Sequence, residues 1–221
     1  MVGVLALVVD TSSAAVTAGV VDCAEPRVLA ERVTVHGRAH GELLVPSIRD
    51  CLASAGRSIS ELAAVVAGVG PGPFTGLRVG LVTAAALGDA LGLPCYPVCS
   101  LDALAAVRPE TDRLLVAGDA RRKEIYWALY SGGRRLTEPA VSRPAELPAE
   151  LAPTAAVGAG ARLYAELLAL PVLDGDYPTV AGLAGLARDR VLGGAAGEPL
   201  TPLYLRRPDA AASSARKPVT A

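Results

Sequence analysis

The amino-acid sequence predicts an α/β fold in which sheets covered by helices form two lobes. Three observations carry that reading. Apolar runs over residues 1–102 follow the order strand, strand, strand, helix, strand, helix, strand. A glycine- and proline-rich turn, Gly68 to Gly76 (GVGPGPFTG), stands between the fourth strand and the second helix. The pattern then loosens over residues 100–109, and strands begin again after it. We therefore place a first lobe at residues 1–102, a smaller second lobe at 103–212 and a disordered tail at 213–221, where residues are small and polar. The 221 residues, 52% hydrophobic and 19% charged, suffice for a buried core without disulfide or metal staples.

Residues 4–9 are a continuous apolar run ending at Asp10, and 14–21 and 28–35 follow at the spacing of an antiparallel meander. Leu44, Ile48, Leu52 and Ala55 fall on one helical stripe stopped by Gly56, with Pro46 tolerable near the first turn or at a kink. Residues 63–69 read as a strand. The segment from Gly76 to Leu91, closed by Gly92, reads as a helix with Thr75 as its N-cap. A short strand at 95–99 completes the lobe. In the second part, strands at 114–117 and 124–131 precede a proline-rich polar stretch, a short strand near Ala156, and helices at 161–170 and 179–192.

Composition excludes several classes of function. The net charge of −1 and the eight aromatic residues argue against a dedicated single-strand nucleic-acid platform, which needs a basic groove and rings for stacking. The arginine excess over Lys123 and Lys217 reads as compositional background. Cys23, Cys51, Cys95 and Cys99 sit in apolar segments without paired zinc spacing and read as buried thiols. Residues 2–9 have no basic run before them and read as a strand, not a targeting signal. The longest uncharged stretch, 62–77, contains Pro71 and Pro73 and is too short to span a bilayer. A soluble cytoplasmic protein is expected.

Several residues are candidates for chemistry. Asp10, Thr11 and Ser12 end a strand where a carboxylate and hydroxyls can face a nucleotide's metal and phosphates, or close a turn. Gly70 and Gly72 lie in a turn ahead of a helix, where backbone N–H groups can hold an anion. The turn lacks a P-loop ending, and its prolines remove donors. His36 and His40 have the i, i+4 spacing of a metal pair but no third ligand, so no metal site is assigned. Gly76, Gly80, Ala84 and Gly88 recur every four residues and form a ridge with almost no side chain. Such a ridge accepts either a partner helix or this chain's own core, and spacing alone does not decide between them. Arg121, Arg122 and Lys123, with Arg206 and Arg207, read as solvated basic clusters.

Taken in order, the motifs are recognisable: Asp10-Thr-Ser, HGELLVP from His40 to Pro46, the glycine turn continued to Arg78, DARRKEIYW from Asp119 to Trp127, and PLYLRRPD from Pro202 to Asp209. Over nearly the whole chain they resemble the TsaB (YeaZ) family, accessory subunits of the bacterial tRNA threonylcarbamoyladenosine machinery. The resemblance implies an actin-like ATPase fold with two lobes, the second reduced. It also implies a non-catalytic chain that pairs with TsaD, is joined by TsaE, and serves N6-threonylcarbamoylation of adenosine 37 in tRNAs reading codons that begin with A. It implies pairing through the first two helices, which places His40, Leu44, Ile48, Gly76, Leu77, Gly80, Ala84 and Gly88 at the interface, with a homodimer through the same surface in isolation. No intrinsic cofactor and no peptidase activity are implied; ATP or ADP, if bound, would sit at the junction with TsaD. The alternative is a self-sufficient nucleotide-dependent phosphotransferase of the same fold, using Asp10 and the Gly70 turn.

Overall fold

The computed structural model describes residues 3–206. The expected tail at 213–221 lies outside the described residues. The first part comprises β1 (Leu5–Asp10), β2 (Ala15–Asp22), β3 (Arg27–Val35), α1 (His40–Ala55), β4 (Leu62–Gly68), α2 (Phe74–Leu91), β5 (Cys95–Val98) and α3 (Ser100–Ala106). There follow β6 (Leu114–Asp119), β7 (Ile125–Ser131), β8 (Arg134–Arg135), β9 (Ala140–Ser142), β10 (Ala155–Val157), α4 (Ala159–Leu163), α5 (Ala165–Leu168) and α6 (Val180–Leu192).

The first sheet has the order β3-β2-β1-β4-β5: the meander β1 to β3 is antiparallel, and β4 and β5 are added parallel to β1. Every residue of β1 is buried because both faces of the sheet are covered. Leu5, Leu7 and Val9 point to α1 and α2, where they meet Leu44, Ile48, Leu77 and Leu81. Ala6 and Val8 point the other way, to Val180, Leu183, Ala184 and Ala187 of α6. The second sheet, β10-β6-β7-β8 with β9 on β7, is covered by α3 on one face and by Leu151, Ala161, Tyr164 and Leu168 on the other.

Four expectations are corrected. Helix α2 begins at Phe74 with Pro73 as N-cap, so Thr75 lies inside the first turn and caps nothing. Residues 100–106, expected to be loose, form α3, and the helix expected over 161–170 is two short helices broken at Tyr164. The fourth concerns the lobes. Helix α6 belongs to the second part of the chain by position, yet it packs under the first sheet, and Glu31 of β3 accepts the N–H of Val180 at 2.8 Å. The strap that follows returns to the first sheet as well, with Glu198 N–H donating to the Cys95 carbonyl and Leu203 N–H to the Val69 carbonyl, both at 2.9 Å. A cut at residue 102 therefore does not separate the two sheets into independent units.

The loop after β1 sits unusually close to the β4–α2 turn. A Cβ on Gly72 would lie 2.0 Å from the Ser12 carbonyl oxygen, and one on Gly80 would lie 2.5 Å from Thr11 Oγ1. Backbone cannot yield as a flexible side chain does, so glycine is required by approach at Gly72. Gly41, in the first turn of α1, has nothing within 4 Å of a built Cβ. We expect Gly72→Ala to lower unfolding free energy by roughly 2 kcal/mol or more, and Gly41→Ala to raise it by up to about 1 kcal/mol through helix propensity. Urea unfolding of both variants checks this, and equal midpoints would contradict the close approach.

Candidate functional site

Asp10, the last residue of β1, is 1% exposed. Its Oδ1 accepts the Ser12 N–H at 2.9 Å and the Ser12 hydroxyl at 2.8 Å, while Oδ2 accepts the Ser100 hydroxyl at 2.5 Å. Ser100 Oγ in turn accepts the Gly70 N–H at 3.1 Å. Burial pushes the Asp10 carboxyl above the usual carboxylate range, and the hydrogen bonds from Ser100 and Ser12 pull it back only in part. Thr11 is equally buried; its hydroxyl donates to the Gly76 carbonyl at 2.7 Å and accepts the Gly80 N–H at 2.9 Å. That carbonyl and that amide are the two ends of one i→i+4 rung of α2, so the hydroxyl inserts into the helix ladder.

A cleft of about 900 Å³ opens between the two sheets, lined among others by Ser12, Ser13, His40, Asp119, Asp176 and Tyr177. Of the five residues expected to face a phosphate, Ser12 alone lines it; Asp10, Thr11, Gly70 and Gly72 are folded beneath. The glycine-rich turn is shaped to receive the Asp10 to Ser12 loop, whose Ser12 carbonyl oxygen would lie 2.0 Å from a Cβ on Gly72. His40 is 7% exposed, and its Nε2 lies 2.8 Å from the Ser13 carbonyl, to which it can only donate. His36 lies before α1, in the loop after β3, and the two imidazoles do not share a helical face. Among the described residues no group of three or more His, Cys, Asp or Glu side chains converges.

The residues expected at an interface along the small-residue ridge turn inward in the free chain. His40, Leu44, Ile48, Gly76, Leu77, Gly80, Ala84 and Gly88 are all buried within this chain. The ridge receives Thr11 at Gly80, and a Cβ on Gly88 would meet Cys95 Sγ at 2.5 Å. It is a seat for the chain's own loop and strand. What α1 and α2 leave exposed includes Val45 (51%) and Pro46 on α1 and Val82 (66%), Ala85 and Ala86 on α2, with the charged Arg49, Asp50 and Asp89 on the same helices. On α2, Arg78 stacks 3.7 Å from the Phe74 ring centroid and donates to the Tyr204 hydroxyl at 3.0 Å. Sequence periodicity holds this exposed side, but the regular glycines drew attention to the other one.

The remaining thiols offer no nucleophile. Cys23, Cys51 and Cys99 are buried and Cys95 half-buried, all free. Burial, helped by Asp102, pushes the Cys99 thiol up to about 12.

A family model described as TsaD: tRNA N6-adenosine threonylcarbamoyltransferase matches residues 28–167. An uncharacterised protein of Mycobacterium leprae is 49% identical over 98% of this chain, which spans 57% of that relative. The tRNA threonylcarbamoyladenosine biosynthesis protein TsaB of Bacillus subtilis is 33% identical over 61% of this chain and 58% of its own length. The crystal structure of YeaZ from Pseudomonas aeruginosa superposes with a TM-score of 0.76 at 29% identity, covering 91% of this chain and all of the other. The chain belongs to the TsaB (YeaZ) branch of the TsaD family. At 10% identity and a TM-score of 0.53, the activator of the 2-hydroxyisocaproyl-CoA dehydratase from Clostridium difficile shares the fold, which is that of the actin-like ATPases.

In this TsaB chain the matched span leaves out β1 and its terminal carboxylate, Asp10. Its native pKa lies above its unfolded one. Below the unfolded value both states are protonated; as pH rises between the two values the unfolded chain ionises first, and stability falls until the native pKa is passed. The unfolding free energy of the wild type minus that of Asp10→Asn should therefore decrease as pH is raised from about 3.5 toward 7. Urea titrations at stepped pH measure the difference, and a flat or rising difference would contradict a penalised buried carboxylate.

Proposed function

We propose that this chain is a non-catalytic scaffold in tRNA threonylcarbamoyladenosine biosynthesis, pairing with TsaD through the outer face of α1 and α2. The observation that carries the reading is the outer side of two helices that pack together, where Val45 and Pro46 of α1 and Val82, Ala85 and Ala86 of α2 are exposed apolar residues. Exposed apolar surface of this kind serves protein contact, and two helices from each partner would bury it as a bundle. The family relatives named for the same modification support the context. On this reading TsaE joins the pair, and adenosine 37 of tRNAs reading codons that begin with A is modified by TsaD. The same face sustains a homodimer when TsaD is absent, and the assembly works in the cytoplasm. Helix α2 is long and apolar enough to cross a membrane by length and composition, but such a lone helix is weak support for a span, and its inner face packs on the first sheet.

The chain's own residues do not fit a metal nucleotide. Asp10, the acid placed to hold a phosphate-bound cation, has both oxygens engaged by Ser12 and Ser100. Asp119 accepts the Arg121 N–H at 2.8 Å and faces its guanidinium at 3.5 Å. The self-sufficient phosphotransferase loses support on that ground, and ATP or ADP would need the TsaD side of a shared junction. A peptidase reading has no support either, since the one buried histidine spends its Nε2 proton on the Ser13 carbonyl.

Replacing Val82 with Glu places a charge in the centre of the proposed interface while its side chain remains in water in the free chain. We expect the unfolding midpoint to stay within about 0.5 kcal/mol of wild type and TsaD binding to weaken at least tenfold, a loss of roughly 1.4 kcal/mol or more. Calorimetric titration with TsaD reads it. Unchanged affinity would remove this face from the interface.

A further inference from the structure

The turn joining β6 to β7 carries three successive non-glycine residues in the left-handed region: Arg121 at φ 62°, Arg122 at φ 54° and Lys123 at φ 63°. Glycine and asparagine adopt that conformation at far less cost, and strain held at a surface turn points to a use for the side chains it displays. All three are exposed. Across the mouth of the cleft, the loop between β3 and α1 presents Arg38, also exposed, and a Cβ on Gly37 would come within 3.1 Å of Arg121 Nη2. An open depression of about 600 Å³ is lined wholly by His36, Gly37, Arg38 and Arg121.

The acids nearby are committed. Asp119 pairs with Arg121, Glu124 pairs with Arg206, and Asp174 and Asp176 both pair with Arg162. Arg38 and Lys123 make no hydrogen bond or ion pair among the described residues. The ridge therefore keeps a positive excess contributed by elements of both sheets. The depression itself is lined by no Phe, Tyr or Trp, and guanidinium forks are matched to the phosphodiester backbone of folded RNA.

We infer that Arg38, Arg121, Arg122 and Lys123 form a phosphate-contacting ridge that holds the backbone of the tRNA substrate. The inference rests on the proposed role in tRNA modification, which supplies RNA as the polyanion, and lies on a different surface from the TsaD face.

The test titrates the full chain, alone and with TsaD, into a labelled unmodified tRNA transcript between 50 and 200 mM KCl, followed by anisotropy. The variants are Arg38→Gln/Lys123→Gln, which breaks no contact seen here, and the same pair with Arg121→Gln. Arg27→Gln, at the exposed start of β3, is the control. We expect the triple variant to weaken tRNA binding at least tenfold at 100 mM salt and to flatten the salt dependence by about 2 to 3 in log–log slope. The double variant loses an intermediate amount and the control loses none. Equal affinity and slope for wild type and triple variant, or no measurable tRNA binding by wild type in either form, would overturn the inference. So would a triple variant that binds tRNA normally but no longer pairs with TsaD, which would make the ridge a protein-docking surface. Wild type that binds tRNA through these residues but does not pair with TsaD would sink the proposed function and leave this inference standing.

Discussion

Two adjacent residues at the end of β1 hold the molecule together at its centre. Asp10 and Thr11 tie the first hairpin to the β4–α2 turn, to the ladder of α2 and, through Ser100, to the start of α3, which leads to the second sheet. Desolvating a carboxylate costs several kcal/mol, and hydrogen bonds to a charged group return roughly 1.5 to 3 kcal/mol each. Three such bonds make the burial tolerable without making the carboxyl an ordinary one. The glycines of the turn follow from this arrangement, since the loop carrying the two residues lies against their Cα atoms.

The same constraint turns the polar groups at the end of β1 inward. A carboxylate and a hydroxyl at a strand end beneath a glycine-rich turn have the composition of a phosphate site, but here they bond inward and the turn closes over them. Packing then decides where α1 and α2 can meet anything else. Their small and large apolar residues at helical spacing are used on the sheet and on the Thr11 loop, which leaves the outer side around Val45 and Val82 as apolar surface open to a partner.

Much of the fold was legible in the sequence. The strand order of the first lobe follows from apolar runs and their breaks, and the end of α1 from Gly56, which adopts φ 62° as the C-cap. Helix α3 was not legible, because its seven residues show too little periodicity and are fixed by Ser100 binding Asp10 and by burial of Leu101 and Leu104. The return of α6 under the first sheet is a long-range event that no local pattern encodes. At the candidate site the glycine spacing announces a close approach but leaves open whether the neighbour is a partner helix or this chain's own core. A ridge of small residues states that something lies near, and the sequence holds no sign that it is the loop of Thr11, some seventy residues earlier. The left-handed turn at Arg121 to Lys123 was hidden for the opposite reason, since nothing in those residue types favours a positive φ.

The central claim is that the outer face of α1 and α2 is the partner surface and that the cleft is not. Amide hydrogen exchange of the full chain with and without TsaD tests it most directly. The account predicts added protection confined to peptides covering α1 and α2, with little change over Asp119 and residues 176–178 at the cleft. Protection centred on the cleft, with α1 and α2 exchanging as in the free chain, would contradict it.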